Sequence, residues 1–187
     1  MSMTPSSFVV RGLRWVFLGL LAAVSLHASA GDFGELAERE MRALAQQFPG
    51  RVGGTATENA AADYLANRLL EFGYEAVIDE FPVSYRFFRP ETGDFETLDA
   101  VSQNVIAEVP GSGAGLIIIG AHYDTAAVRL PEHAAAGIGG PALQGVDDNA
   151  SGVGVLMELA QRLSGANPER TLRFIAFGAE EVGLLGA

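Results

Sequence analysis

The sequence predicts an α/β protein, a sheet with helices on its faces, and three observations carry that prediction. Leu116-Ile117-Ile118-Ile119 runs apolar without alternation, the pattern of a strand covered on both faces in a parallel sheet. Leu172 to Phe177 is a second such run. Between them Val153, Leu156, Met157, Ala160 and Leu163 recur at helical spacing from a start near Asn149. Strand, crossover, helix and strand make a βαβ unit.

The remaining elements follow in chain order. Arg11 and Arg14 precede the apolar run Trp15 to Val24, and Ala28-Ser29-Ala30 supplies small residues before Gly31. A basic start, a short hydrophobic stretch and an A-x-A site are the parts of a secretory signal peptide over residues 1–30. The run is well short of the ~20 residues that span a bilayer. The expectation is therefore a secreted or periplasmic protein with no stable membrane association after cleavage. Residues 31–187 then form one domain. From Asp32 to Phe48, Ala37, Met41, Leu44 and Phe48 keep helical spacing until Pro49-Gly50 stops it. Gly53-Gly54 makes a break, and Thr57 is placed to cap a second helix with Ala61, Leu65, Leu69 and Phe72 on one face, ending at Gly73. Tyr74 to Tyr85 and Gln103 to Val109 read as strands, with Arg86 to Leu98 a polar connection between them. Gly111 to Gly115 is glycine-rich but lies between two strands with no helix behind it, so it reads as a turn and not a phosphate loop.

Composition removes whole classes of chemistry. The 187 residues hold 49% hydrophobic side chains, enough for one core. There is no cysteine, which excludes disulfide frameworks, thiolate zinc sites and thiol nucleophiles. All 12 basic residues are Arg, so lysine chemistry is absent as well. Against 23 acids they leave a formal charge of −11, which argues against a nucleic-acid partner. Chemistry by His, carboxylates, hydroxyls or a metal survives.

Polar residues gather where such a sheet places reactive groups, beyond the carboxyl ends of its strands. Gly120-Ala121-His122-Tyr123-Asp124 follows the first buried run. Gly145 to Gly152, with Asp147-Asp148-Asn149, opens the crossover helix. Phe177-Gly178-Ala179-Glu180-Glu181 follows the second run. Two residues apart in extended chain, Asp124 lies on the side of His122, where it can accept one ring N–H and aim the other nitrogen at a metal. His133, in an Ala/Gly-rich loop, reads as solvent-exposed. Asp147 and Asp148 exceed what a helix cap needs, since Asn149 can cap alone. Glu180 and Glu181 after a buried strand must escape to solvent or meet a cation, and no Arg follows them. One His with several carboxylates makes a hard site suited to zinc, and the acid-rich set favours two bridged ions. One acid must stay off the metal as the base. Spacing alone does not choose between Asp147 and Asp148, or between Glu180 and Glu181.

These three motifs, with Val182-Gly183-Leu184-Leu185-Gly186 extending the last, resemble the M28 family of co-catalytic zinc aminopeptidases, over residues 32–187 and most specifically from Leu116 onward. The resemblance implies a three-layer sandwich with a mostly parallel central sheet, the phosphorylase/peptidase-like zinc exopeptidase fold. It implies two Zn2+ per complete domain, with His122 a ligand of one, Asp148 the bridge and Glu181 a ligand of the other. Glu180 would be the general base acting on the bridging water of a peptide substrate, and Asp124 would orient His122. Asp147 carries no ligand role. The family's remaining Asp and His ligands follow the Glu-Glu motif, so the resemblance makes residues 31–187 the N-terminal portion of the domain, its C-terminal part missing, binding zinc poorly and hydrolysing little by itself. Competing readings are a glutaminyl-cyclase-like single-zinc enzyme, hydrolysis of another small acylated amine, and a non-catalytic binding module. A serine hydrolase is disfavoured, because Ser151 lacks the G-x-S-x-G elbow.

Overall fold

The computed structural model describes residues 32–89, 92–126 and 144–187. Residues 1–30, read as a signal peptide, and His133 fall outside them. Helices α1 (Glu35–Gln47) and α2 (Ala56–Glu71) come first, then strands β1 (Val77–Arg89), β2 (Asp94–Val109) and β3 (Leu116–His122). A π-type turn (Val146–Ala150) leads into α3 (Ser151–Leu163), and β4 (Thr171–Phe177) follows. The sheet order is β1-β2-β4-β3.

The βαβ reading holds: β3 and β4 pair in parallel, Leu116 opposite Thr171 through His122 opposite Phe177. Among the described residues the sheet around that pair is mixed. β1 pairs antiparallel with β2 from Val77–Ile106 to Arg89–Asp94, and β2 pairs antiparallel with β4. The cause is local. Residues 86–98, read as a polar connection, are the distal arms of one long hairpin, and a connection that short can join only antiparallel neighbours. Their alternation hides in the sequence because Tyr85 and Phe87 are buried while the residues between them face water.

Leu44, Ala61, Leu65 and Leu69 of α1 and α2, with Val153, Leu156, Met157 and Ala160 of α3, pack on Val105, Ala107, Leu172, Phe174 and Ala176 of the sheet. Alternate sheet residues share a face, so all three helices cover the same one. Among the described residues the sheet and these helices make two layers. A second, smaller core joins Val52, Val83, Tyr85 and Phe87 to Ala179. It backs the hairpin against the turn that follows β4. The two apolar runs differ in burial. β4, inside the sheet, is buried as read, but β3 at the edge leaves Leu116, Ile117 and Ile118 exposed among the described residues, so it is not covered on both faces.

The cap of α2 is Thr55, not Thr57: its side chain accepts from Glu58 N at 3.3 Å. Among the described residues no helix is long and apolar enough to cross a membrane.

Candidate functional site

The parallel pairing brings the ends of β3 and β4 side by side, with the start of α3 beside them. His122 is the last residue of β3, and its ring is mostly buried. Its Nε2 lies 3.0 Å from Asp148 Oδ1 and 4.0 Å from Glu180 Oε2. Its Nδ1 faces Asp124 Oδ1 at 3.4 Å. That contact is electrostatic, since Nδ1 is buried with no hydrogen-bond partner of good geometry. Four of the five residues singled out from the sequence thus meet around one imidazole. Glu181, the fifth, joins through its backbone.

Asp124 is fully buried, where an uncompensated carboxylate costs several kcal/mol. It is compensated by the turn after β4: Glu180 N donates to its Oδ1 at 3.1 Å and Glu181 N to its Oδ2 at 3.0 Å. The same carboxylate therefore faces His122 and fixes the backbone that carries both glutamates. Asp124 raises the His122 pKa above its ordinary value, burial opposes this, and the charges of Glu180 and Asp148 add to the rise.

The turn after β4 has a tight bend behind it. Gly178 sits where a Cβ would lie 2.5 Å from Gln103 O and 2.7 Å from Glu58 Oε1, so only glycine lets the chain pass. Ala179 follows at φ 53, a left-handed conformation costly for a residue with a Cβ. It is fully buried and its N–H donates to Glu58 Oε1 at 3.0 Å. Surroundings that over-determine a strained residue are what keep it there.

Glu58 was not singled out from the sequence. It occupies the last place of a T-x-x-E capping pattern, whose glutamate ordinarily reaches back to its own helix start. Here it is fully buried and accepts from Gly54 N at 2.6 Å, Ser102 Oγ at 2.6 Å and Ala179 N at 3.0 Å. Burial pushes its pKa up to about 7 in spite of those donors. Arg51 was missed too. It is fully buried and donates to carbonyls of Tyr123, Gln144 and Gly145. Burial lowers its pKa to about 10, with Asp124 opposing, so it stays charged at neutral pH.

The start of α3 has the opposite character. Asp147 and Asp148 are exposed, and the side chain of Asp148 is 70% accessible. Asn149 does the capping, as expected, its Oδ1 accepting from Gly152 N at 3.0 Å. Asp147 contributes its carbonyl to Ser151 Oγ at 2.9 Å.

The donor chemistry suits a divalent metal. Two donors ~2.0–2.1 Å from one tetrahedral ion lie roughly 3.3 Å apart, close to the 3.0 Å between His122 Nε2 and Asp148 Oδ1. Asp124 sits behind the other ring nitrogen, where a carboxylate fixes the tautomer. The fit extends to this pair. Among the described residues no group of three or more His, Asp or Glu closes around a single ion.

Residues 104–187 match the model of the family described as peptidase family M28. Over 170 residues the chain is 38% identical to the alkaline phosphatase isozyme conversion protein of Escherichia coli (strain K12), covering 91% of this chain and 49% of that protein. The chain thus spans about half the length of that relative. Its fold is similar to a zinc aminopeptidase from Bacillus subtilis, with TM-score 0.63 and 16% identity over 82% of this chain and 63% of that one. It is also similar to a glutaminyl cyclase from Tannerella forsythia, with TM-score 0.61 and 24% identity over 80% of this chain and 48% of that one.

Proposed function

We propose, from the premise that this chain belongs to peptidase family M28, that it supplies the first half of an exported zinc-dependent aminopeptidase. The substrate is a peptide, and the bond cleaved is the one after its N-terminal residue. The observation that carries this reading is the convergence of Asp148 and Glu180 on His122 Nε2, with Asp124 behind the same ring. His122 and Asp148 would hold one zinc, Asp148 and Glu181 a second. Zinc, when bound, polarises the scissile carbonyl and lowers the pKa of a water.

The chain's own residues supply the rest. Glu180, partly exposed, takes a proton from the attacking water and returns it to the leaving amine. Asp124 keeps a proton on His122 Nδ1, which leaves Nε2 free for the metal. Its bonds to the Glu180 and Glu181 amides hold the base beside the ligand. Export rests on residues 1–30, whose basic start, apolar run and Ala28-Ser29-Ala30 have the form of a cleaved leader. The length of the Escherichia coli relative supports further ligands outside these residues.

The test uses the complete protein and aminoacyl amides. Glu180→Gln is expected to lower turnover by ~10²–10⁴-fold, the usual worth of a general base, with the metal content unchanged. An N-acetylated substrate should resist. An unaltered rate in the variant removes Glu180 from its role. Conversion of an N-terminal glutamine to pyroglutamate, with no residue released, would turn the assignment to a cyclase.

A further inference from the structure

Arg51 spans two corners of the site. On one side its Nε donates to Tyr123 O, and its own carbonyl accepts from Thr125 N at 3.0 Å. Those two bonds flank Asp124 and follow directly on His122. On the other side Nη1 donates to Gln144 O at 2.7 Å and Nη2 to Gly145 O at 3.0 Å. Gly145 is two residues before Asp147 and three before Asp148. A longer bond, Nη1 to Phe48 O at 3.4 Å, anchors the guanidinium to the end of α1.

The second corner is otherwise held by bonds within itself, Ala150 N to Gly145 O at 3.1 Å and Ser151 Oγ to Asp147 O at 2.9 Å. The turn Val146–Ala150 has no side-chain bond capping its start, and Asp148 and Asn149 leave helical geometry inside it. Gly145 instead fits tightly against the arginine. Its φ is 55, and a Cβ there would lie 2.4 Å from Thr125 Cγ2 and 3.1 Å from Arg51 Nη2. A planar guanidinium can aim several N–H groups in fixed directions at carbonyls of two segments; the point charge of a lysine cannot.

We propose that Arg51 is a positioning residue whose bonds to Tyr123 and to Gln144 and Gly145 set the separation of His122 from Asp148, and with it the affinity of that pair for a divalent cation. The proposal rests on the metallopeptidase reading given above. A purely structural arginine would stabilise the fold and leave metal affinity alone.

Cobalt(II) titration of the metal-free complete protein, followed by visible absorption, separates the two. Arg51→Lys is expected to weaken cobalt binding by about ten-fold or more, within the 10–100-fold range of residues that orient ligands, and to alter the absorption envelope. Gly145→Ala strikes the same joint from outside the core, and should do likewise even where Arg51→Lys does not fold. Glu158→Gln is the control. Glu158 accepts from Gly34 N and Ala37 N at 3.0 Å, at the start of α1, and its loss should lower the melting temperature with cobalt affinity unchanged. Wild-type affinity and spectrum in both Arg51→Lys and Gly145→Ala would overturn the role given to Arg51. A wild-type protein that takes up neither cobalt nor zinc would sink the metallopeptidase reading itself.

Discussion

The acids in and beneath the candidate site fall into two groups, a floor and a rim. Asp124 and Glu58 form the floor, both fully buried. Asp148 and Glu180 form the rim, with side chains 70% and 31% accessible. The floor acids spend their lone pairs inside the protein. Asp124 accepts the amides of Glu180 and Glu181, and Glu58 accepts from Gly54, Ser102 and Ala179. Carboxylates so placed have no open face toward solvent. Rim acids present their oxygens to solvent beside His122. Burial and bonding, not residue type, divide the labour.

Replacing one acid from each group tests that division. On the proposed reading, Asp148→Asn in the complete protein is expected to cost the most activity, about 10³-fold, because it would remove a metal ligand worth several kcal/mol. Its stability should change by less than about 0.5 kcal/mol, as for other exposed positions. Asp124→Asn should cost less activity, roughly 10–100-fold, but more stability. Its amide would turn an N–H toward the Glu180 or Glu181 N–H, leaving a buried donor unsatisfied at about 1–3 kcal/mol. Initial rates and urea denaturation of the metal-free protein measure both. Equal destabilisation by the two variants would erase the distinction between floor and rim.

The clusters that hold the rim were legible in the sequence, though spacing did not choose Asp148 over Asp147 or Glu180 over Glu181, and the floor was only half so. His122, Asp124, Asp148 and Glu180 each sit in a dense polar cluster at the end of an apolar run, and a parallel sheet brings such ends together. Arg51 and Glu58 belong to no cluster. Their partners lie far along the chain, Tyr123 for one and Ala179 for the other, so no local spacing encodes the contact. Glu58 even carries a misleading signal, since T-x-x-E announces a helix cap and nothing more. The apolar runs show a similar limit. Leu172–Phe177 and Leu116–Ile119 look alike as sequence, yet only the first is buried among the described residues. A pattern records what a strand can bury; its place in the sheet decides what it does bury. The hairpin arms at 86–98 escaped notice because one face of the ribbon stays wet and charged.

The last prediction concerns Glu58 and appears in stability alone. Its folded pKa is about 7 against 4.5 for the ordinary carboxyl, so between those values the folded chain holds a proton that the unfolded chain has released. Folding then binds protons, and stability must fall as pH rises through this window, by no more than about 1.4 kcal/mol per pH unit from this group. Below pH 4.5 both states are protonated, and above 7 both are charged, so this contribution is flat on either side. Glu58→Gln should remove the slope between pH 5 and 6.5, below the range in which His122, also raised, adds one of the same sign, measured by urea denaturation at half-unit steps, while Asp148→Asn leaves it in place. If the slope survives in Glu58→Gln, its source lies elsewhere, and Glu58 keeps its charge in the folded state. Its three donors would then outweigh its burial, and the floor would be held by two carboxylates rather than by one carboxylate and one acid.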